Sequence, residues 1–278
     1  MTGQVTIVDS SENEVLLATN AAQATGNATL QTIADKTEFC LDVARGLVTG
    51  MSHVNKFGRN SDVDAGTEDL GTQGGLYVGA TAASVVNFVS SSANDTAAGT
   101  GARTISVTGL NASDVEVTET LTLNGTTNVP TVNSYNFISR VIVLTAGSGG
   151  ANAGTITGTA TGGGTPLLIS VAIGINQSQL GIYKVPAGKS AYICEWGGSF
   201  YSATAGAQVE LRLLIKPSGG VFNLKDNINL FTGGATAFIK HKTPPIVAPA
   251  SSIIKIQIVT ANANNDVNGN FDFVLVTN

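Results

Sequence analysis

The residues best placed by type and spacing to do chemistry lie between Asp62 and Asp69. Asp62, Asp64 and Glu68, with Asp69 beside them, follow the order D-x-D-x-G-x-E, in which hard carboxylate oxygens could converge on a calcium ion. The pattern departs from a calcium loop at its fifth position, Gly66, and at its twelfth, Gln73, where a bidentate glutamate belongs. Asp62, Asp64 and Glu68 are therefore a weak calcium candidate within a solvated acidic connector, and no other metal centre is expected. Gly188-Lys189-Ser190 invites a phosphate-loop reading, but the glycine required five residues earlier is Tyr183, so the segment reads as a turn. His53 and His241 are the only histidines. Neither has a companion motif for a metal or a nucleophilic triad. Glu116 and Glu119 fall on opposite faces of a regular strand, so they cannot act as a pair, and each reads as solvent-side. Trp196, in Tyr192-Ile193-Cys194-Glu195-Trp196, reads as a core or interface anchor rather than a sugar platform. Tyr192, Cys194 and Trp196 share one strand parity and Ile193 the other. No catalytic constellation emerges, no cofactor is implied, and the chain is expected not to be an enzyme.

The elements that would position such residues are strands. From Ala102 to Val129 the chain alternates, with Ile105, Val107, Val115 and Val117 facing one way and Thr, Ser and Glu between them. That period of two marks strands with one wet and one dry face. Asn111-Ala112-Ser113-Asp114 and Asn124-Gly125 supply turns. Only one stretch has a helical period, with Leu30, Ile33, Ala34, Thr37, Leu41, Ala44 and Val48 forming an apolar stripe. Asn27 is its expected N-cap and Gly46 or Gly50 its stop.

Composition points the same way. Charged residues make up 12% of 278 residues and glycine contributes 33, against about 25% charge in ordinary domains. Low charge with abundant β-branched residues suits short strands and tight turns, and disagrees with disorder. A net charge of -5 argues against a nucleic-acid partner, which would want a basic face. No run approaches the apolar length of a membrane helix, and no secretory signal is read at the N-terminus. Cys40 and Cys194 read as free buried thiols in different domains. From Val141 to Tyr183 there is no charged side chain at all, and so long an uncharged run needs a partner surface or regular packing to stay soluble.

The expected fold is all-β: two antiparallel β-sandwich units, Ig-like or jelly-roll-like, preceded by an N-terminal arm with one short helix. Residues 1–75 read as an anchoring arm, with a strand at Gln4–Val8 and a polar connector over Met51–Gly75. Residues 76–165 read as the first sandwich. Ala160–Thr165, with three adjacent glycines, reads as a hinge. Residues 166–278 read as the second, jelly-roll-like sandwich of about eight strands, with loops at Pro217–Gly220 and Asn262–Asn270. Thr243-Pro244-Pro245 is expected to interrupt pairing before an edge strand.

Several segments resemble a family of virion structural proteins of tailed bacteriophages. They are Gly46–Asp69 (GLVTGMSHVNKFGRNSDVDAGTED), Ser90–Leu110 (SSSANDTAAGTGARTISVTGL) and Thr120–Val141 (TLTLNGTTNVPTVNSYNFISRV). Val185–Trp196 and Asn265–Val276 are similar to it as well. The resemblance implies a particle component and carries no catalytic motif or site residue with it. The expectation is a capsid-surface decoration, cement or head-fibre protein of the virion, assembled in the host cytoplasm. Its expected partners are copies of itself and the major capsid protein or other virion proteins, with no nucleic acid and no membrane. A tail- or neck-associated fibre-like, receptor-binding protein is the alternative, using loops near Ser218–Gly220, Thr232–Ala235 and Asn262–Asn270. A hydrolase of host polysaccharide is the remote one, since Glu195, Glu210 and Asp226 are a thin supply of acids. A homotrimer is expected because Leu167-Leu168-Ile169 would be dry on both faces of a strand.

Overall fold

A computed structural model of the chain describes Phe39 and residues 41–278, except Gly163, Gly233 and Ala235. Cys40, the strand expected at Gln4–Val8 and most of the helical stripe lie outside the described residues. The chain divides into two compact units, Met1–Ser52 and His53–Asn278. In the described part of the first, residues 41–44 are helical. The Arg45 amide donates to the Leu41 carbonyl at 2.9 Å, and Gly46 ends the turn at φ 73°. This is the stop expected from a glycine, the residue that enters the left-handed region without strain.

The second unit is all-β and antiparallel. Its strands run in order as β1 (Met51–Val63), β2 (Gly66–Asp69), β3 (Val86–Ser90), β4 (Ala102–Leu110), β5 (Glu116–Thr122) and β6 (Val129–Pro130). There follow β7 (Phe137–Ala146), β8 (Ile156–Ala160), β9 (Leu167–Val171), β10 (Ile182–Lys184) and β11 (Lys189–Tyr201). The chain closes with β12 (Gln208–Lys216), β13 (Asn223–Phe231), β14 (Ala237–Ala248), β15 (Ile253–Thr260) and β16 (Asn265–Thr277).

Two sheets, β6-β3-β8-β9 and β5-β4-β7, enclose one core. Phe88, Ile105, Val107, Tyr135, Ile138, Leu168 and Ile169 fill it. The alternation seen in the sequence is the packing: Ile105 pairs with Leu121 and Gly109 with Val117 across β4 and β5. Val115, grouped with these by parity, lies before β5 and is exposed. The other two sheets, β1-β16-β11-β14 and β10-β15-β12-β13 with β2 also on β15, enclose the second core. That core gathers Leu70, Ile193, Trp196, Leu211, Leu213, Ile256, Phe271 and Phe273.

The first sandwich is thus inserted between β2 and β10 of the second. Met51–Gly75, read from the sequence as a connector, contains two strands of the C-terminal sandwich. β1 lies beside β16, and β2 runs along β15, with Asp69 opposite Gln257. Ala160–Thr165 is a hairpin loop, not a hinge between units, because β8 and β9 pair across it from Thr159 and Leu167 to Ile156 and Val171. Leu168, Ile169 and Val171 are at most 1% exposed within the single chain. Both parities of β9 are therefore dried within the chain at Leu168 and Ile169, whereas Leu167, Ile173 and Ile175 of the same apolar run stay exposed. Asn262–Asn270 is only partly a loop, since β16 begins at Asn265, whose side chain is buried.

Candidate interaction surface

The sequence-nominated residues are placed one by one. Glu68 is buried, and its oxygens accept from Asn60 Nδ2 at 2.7 Å, the Asp64 amide at 2.8 Å and the Gly75 amide at 2.9 Å. It staples the β1–β2 turn, which leaves a cation little of its coordination capacity. Asp62 is exposed on β1 and donates its amide to Asn60 Oδ1 at 3.1 Å. Among the described residues no three His, Cys, Asp or Glu side chains gather as a metal site would require. Gly188 has φ 69° and the Lys189 amide donates to the Pro186 carbonyl, which makes Pro186–Lys189 the turn expected between β10 and β11.

Glu116 and Glu119 do point to opposite faces of β5. Glu119 is not a solvent-side residue, however. It accepts from the amides of Val132 and Asn133 at 2.8 and 3.2 Å and from the Tyr135 hydroxyl at 2.9 Å. Burial, followed by that carboxylate, pushes the Tyr135 phenol well above its ordinary value. His53 lies 3.2 Å from Asp272, and His241 lies 2.8 Å from Glu195.

Trp196 is fully buried, as an anchor should be. Its parity with Cys194 fails, because the β11 register shifts between Ile193 and Glu195. A bulge at Cys194 puts Ile193 and Trp196 on the same core face. Cys194 is consequently exposed rather than buried, with its Sγ 3.3 Å from the Tyr192 carbonyl oxygen. On the partner strand the ladder breaks between His241 and Ile246, so Thr243-Pro244-Pro245 sits unpaired opposite that bulge, within edge strand β14 rather than before it.

The three acids weighed for hydrolysis each have a basic partner, Glu195 in His241, Glu210 in Arg212 and Asp226 in two lysines. Glu210 accepts from Arg212 at 2.7 Å, and that guanidinium holds its carboxyl below the usual range. Asp226 on β13 accepts from Trp196 Nε1 at 3.1 Å, from Lys240 Nζ at 2.8 Å and from Lys242 Nζ. Partial burial raises its pKa, and the hydrogen bonds from Lys240, Lys242 and Trp196 more than reverse this, holding the carboxyl far below the ordinary aspartate range. This cluster ties β13 to β14, the free edges of the two facing sheets.

Around that stitched edge lies a group of exposed apolar side chains. Leu224 and Phe231 on β13 and Phe238, Ile239 and Val247 on β14 are each 47–56% exposed. A groove of about 350 Å³ continues from Phe238 and Ile239 across the outer face of the sheet to Phe57, past Asn268 and Asn270. Its floor includes Gly58, Gly198 and Gly269, one from each of three neighbouring strands. A Cβ on Gly198 would lie 2.5 Å from the Asn268 carbonyl oxygen on the neighbouring strand, so the close backbone approach requires glycine there. No charged side chain lines this groove.

No family model matches the chain, and no curated protein matches it. Among solved structures, a subviral particle of infectious bursal disease virus VP2 aligns over 82% of this chain and 72% of its own, at 10% identity and a TM-score of 0.23. The infectious bursal disease virus Gt strain structure aligns over 82% and 76%, at 12% identity and a TM-score of 0.19.

Residues that hold the fold but escaped the sequence reading are polar and buried. Asp95 accepts from the amides of Ala102, Ala153 and Gly154 and from Ser90 Oγ. It fixes the 91–101 loop as a single buried hub. Lys56 and Asp69 lie on strands with no hydrophobic alternation to reveal them.

Proposed function

We propose that this chain is a non-enzymatic structural protein of a tailed-bacteriophage virion, seated on the capsid surface as a decoration, cement or head-fibre component. The segments that resemble that family span both sandwiches. The observation that carries the reading is the apolar surface on β13, β14 and the adjoining uncharged groove. Apolar patches of this kind mark a surface meant to be covered. In the same sandwich the acids are committed to structural pairs. The surface therefore suits protein contact better than bond cleavage.

In this reading the anchoring arm ends before β1, at about residue 50, since β1 and β2 belong to the sandwich. Self-association belongs to the same proposal, with the trimer as its expected closed form. Its surface is the β13–β14 edge rather than β9, where Leu168 and Ile169 are buried within the chain. Cyclic closure would cover that edge without leaving a free end to polymerise.

Quantitative mass spectrometry of washed particles tests the proposal. A copy number on the order of tens to hundreds supports the shell, whereas about six or twelve copies, the counts of a ring on a symmetric tail or neck, favour the fibre-like alternative. Release of reducing sugar from host envelope by the purified protein would overturn the non-enzymatic reading.

A further inference from the structure

Strand β1 and the inserted sandwich line an open cleft of about 220 Å³. Lys56 and His53 reach it from β1, Glu116 from β5, Ser139 and Arg140 from β7, and Tyr183 from β10. Lys56 is 2% exposed, and its Nζ donates to the Ser139 carbonyl oxygen. An ammonium carries three hydrogens, so two remain for another acceptor. Arg140 donates from Nη2 to the Asn55 carbonyl at 2.5 Å and holds its guanidinium 5.8 Å from the Phe57 ring centre. Among the described residues no carboxylate forms an ion pair with Lys56 or Arg140, and the Tyr183 hydroxyl has no hydrogen-bond partner. Glu116 is exposed at the wall, where its charge adds to burial in raising the Tyr183 phenol but makes no ion pair with Lys56 or Arg140, and His53 is already engaged by Asp272 at 3.2 Å.

Unused donors of Lys56, Arg140 and Tyr183 thus face a space several times the roughly 30 Å³ share of a water molecule. A buried cation beside a half-buried one, with no paired anion, is costly. The cost shows in Lys56, whose amine is pulled down to about 7 by burial and then by the charge of Arg140. Burial lowers Arg140 as well.

We propose that this cleft binds a small tetrahedral oxyanion, of the sulfate or phosphate class, held by Lys56, Arg140 and Tyr183. Such an anion accepts the two remaining Lys56 hydrogens, the unused guanidinium hydrogens and the phenol. It also supplies the missing negative charge where charge-assisted bonds are strongest. Because the bound anion favours the ammonium form, binding above neutral pH draws a proton onto Lys56.

Calorimetric titration of the full chain with sodium sulfate tests this, at ionic strength matched with chloride and in two buffers of different protonation enthalpy. Sulfate stays ionised throughout, so any proton taken up is the protein's. The expected result is saturable binding with proton uptake at pH 8 that fades toward pH 6. Phosphate should also bind, and Lys56→Met or Arg140→Gln should weaken sulfate by roughly tenfold or more. Absence of saturable binding would overturn the proposal, as would binding without proton uptake, a result that needs no variant to fold. Equal affinity for acetate would overturn the tetrahedral class.

Discussion

Lys255 Nζ lies 2.7 Å from Asp69 Oδ1, and both side chains are almost wholly buried. The pair joins β15 to β2, and Asp69 also accepts the Tyr77 amide at 3.0 Å where the chain departs for the inserted sandwich. The Lys255 ammonium stands 4.4 Å from the centre of the Phe222 ring. One ion pair therefore closes the C-terminal sandwich around the point where the other is inserted.

Removing one partner strands a buried charge. Asp69→Ala should lower unfolding free energy by about 3–5 kcal/mol, read from urea midpoints. Replacing both together, with Asp69→Leu and Lys255→Met, should recover much of that loss, because the uncompensated ammonium is then gone as well. A double variant as unstable as the single one would show that the pair is not the source of the effect.

The strand content was readable because it rests on alternation. Ile105 and Val107 announce β4, and the glycine turn at Gly188 announces the β10–β11 connection. β1 was not readable, because its buried face is Lys56, Gly58, Asn60 and Val63, which spells a polar connector. Lys56 is buried by the inserted sandwich and Asn60 by its bond to Glu68, both of them tertiary facts. The Cys194 bulge likewise shifts parity by one residue, so a face assigned by counting from Trp196 fails before it. Asp226 was visible only as a spare acid, since its three side-chain donors come from two other strands.

Asp226 sets an acid limit on stability. Its folded carboxyl lies below the ordinary value, so the unfolded chain binds the proton more readily. The stabilisation is complete above the unfolded aspartate range and is lost as pH falls through that range and below it. Asp226→Asn should therefore be clearly destabilised near pH 7, and the difference should begin to narrow as pH falls below about 4, being smaller at pH 3 than at pH 7. Urea midpoints across that range check it; a constant difference would contradict the assignment.

Lys56 has the opposite sign. With a folded value of about 7 against 10.5 when unfolded, the unfolded chain holds more protons between those limits. Stability without added oxyanion should rise as pH climbs through that window. Lys56→Met should lose this slope and be the more stable protein at pH 7 and below. Thermal unfolding in a chloride buffer from pH 6 to 10 reads both outcomes.

The exposed edge can be separated from the fold. Phe238→Asp and Ile239→Asp alter residues half open to water, so the unfolding midpoint should move little, within about 0.5 kcal/mol. Particle binding or self-association should weaken by roughly tenfold or more, as expected where apolar anchors are lost from a contact. Unchanged association, by sedimentation of the protein with particles and by light scattering of the protein alone, would move the contact elsewhere.

The central claim is a place on the virion shell, and a cryo-electron microscopy reconstruction of purified particles tests it most directly. The account expects density for the two-sandwich unit repeated over the capsid surface, with the β13–β14 edge turned toward the shell or a neighbouring copy. Density confined to the neck or tail, or particles that lack the protein altogether, would contradict it.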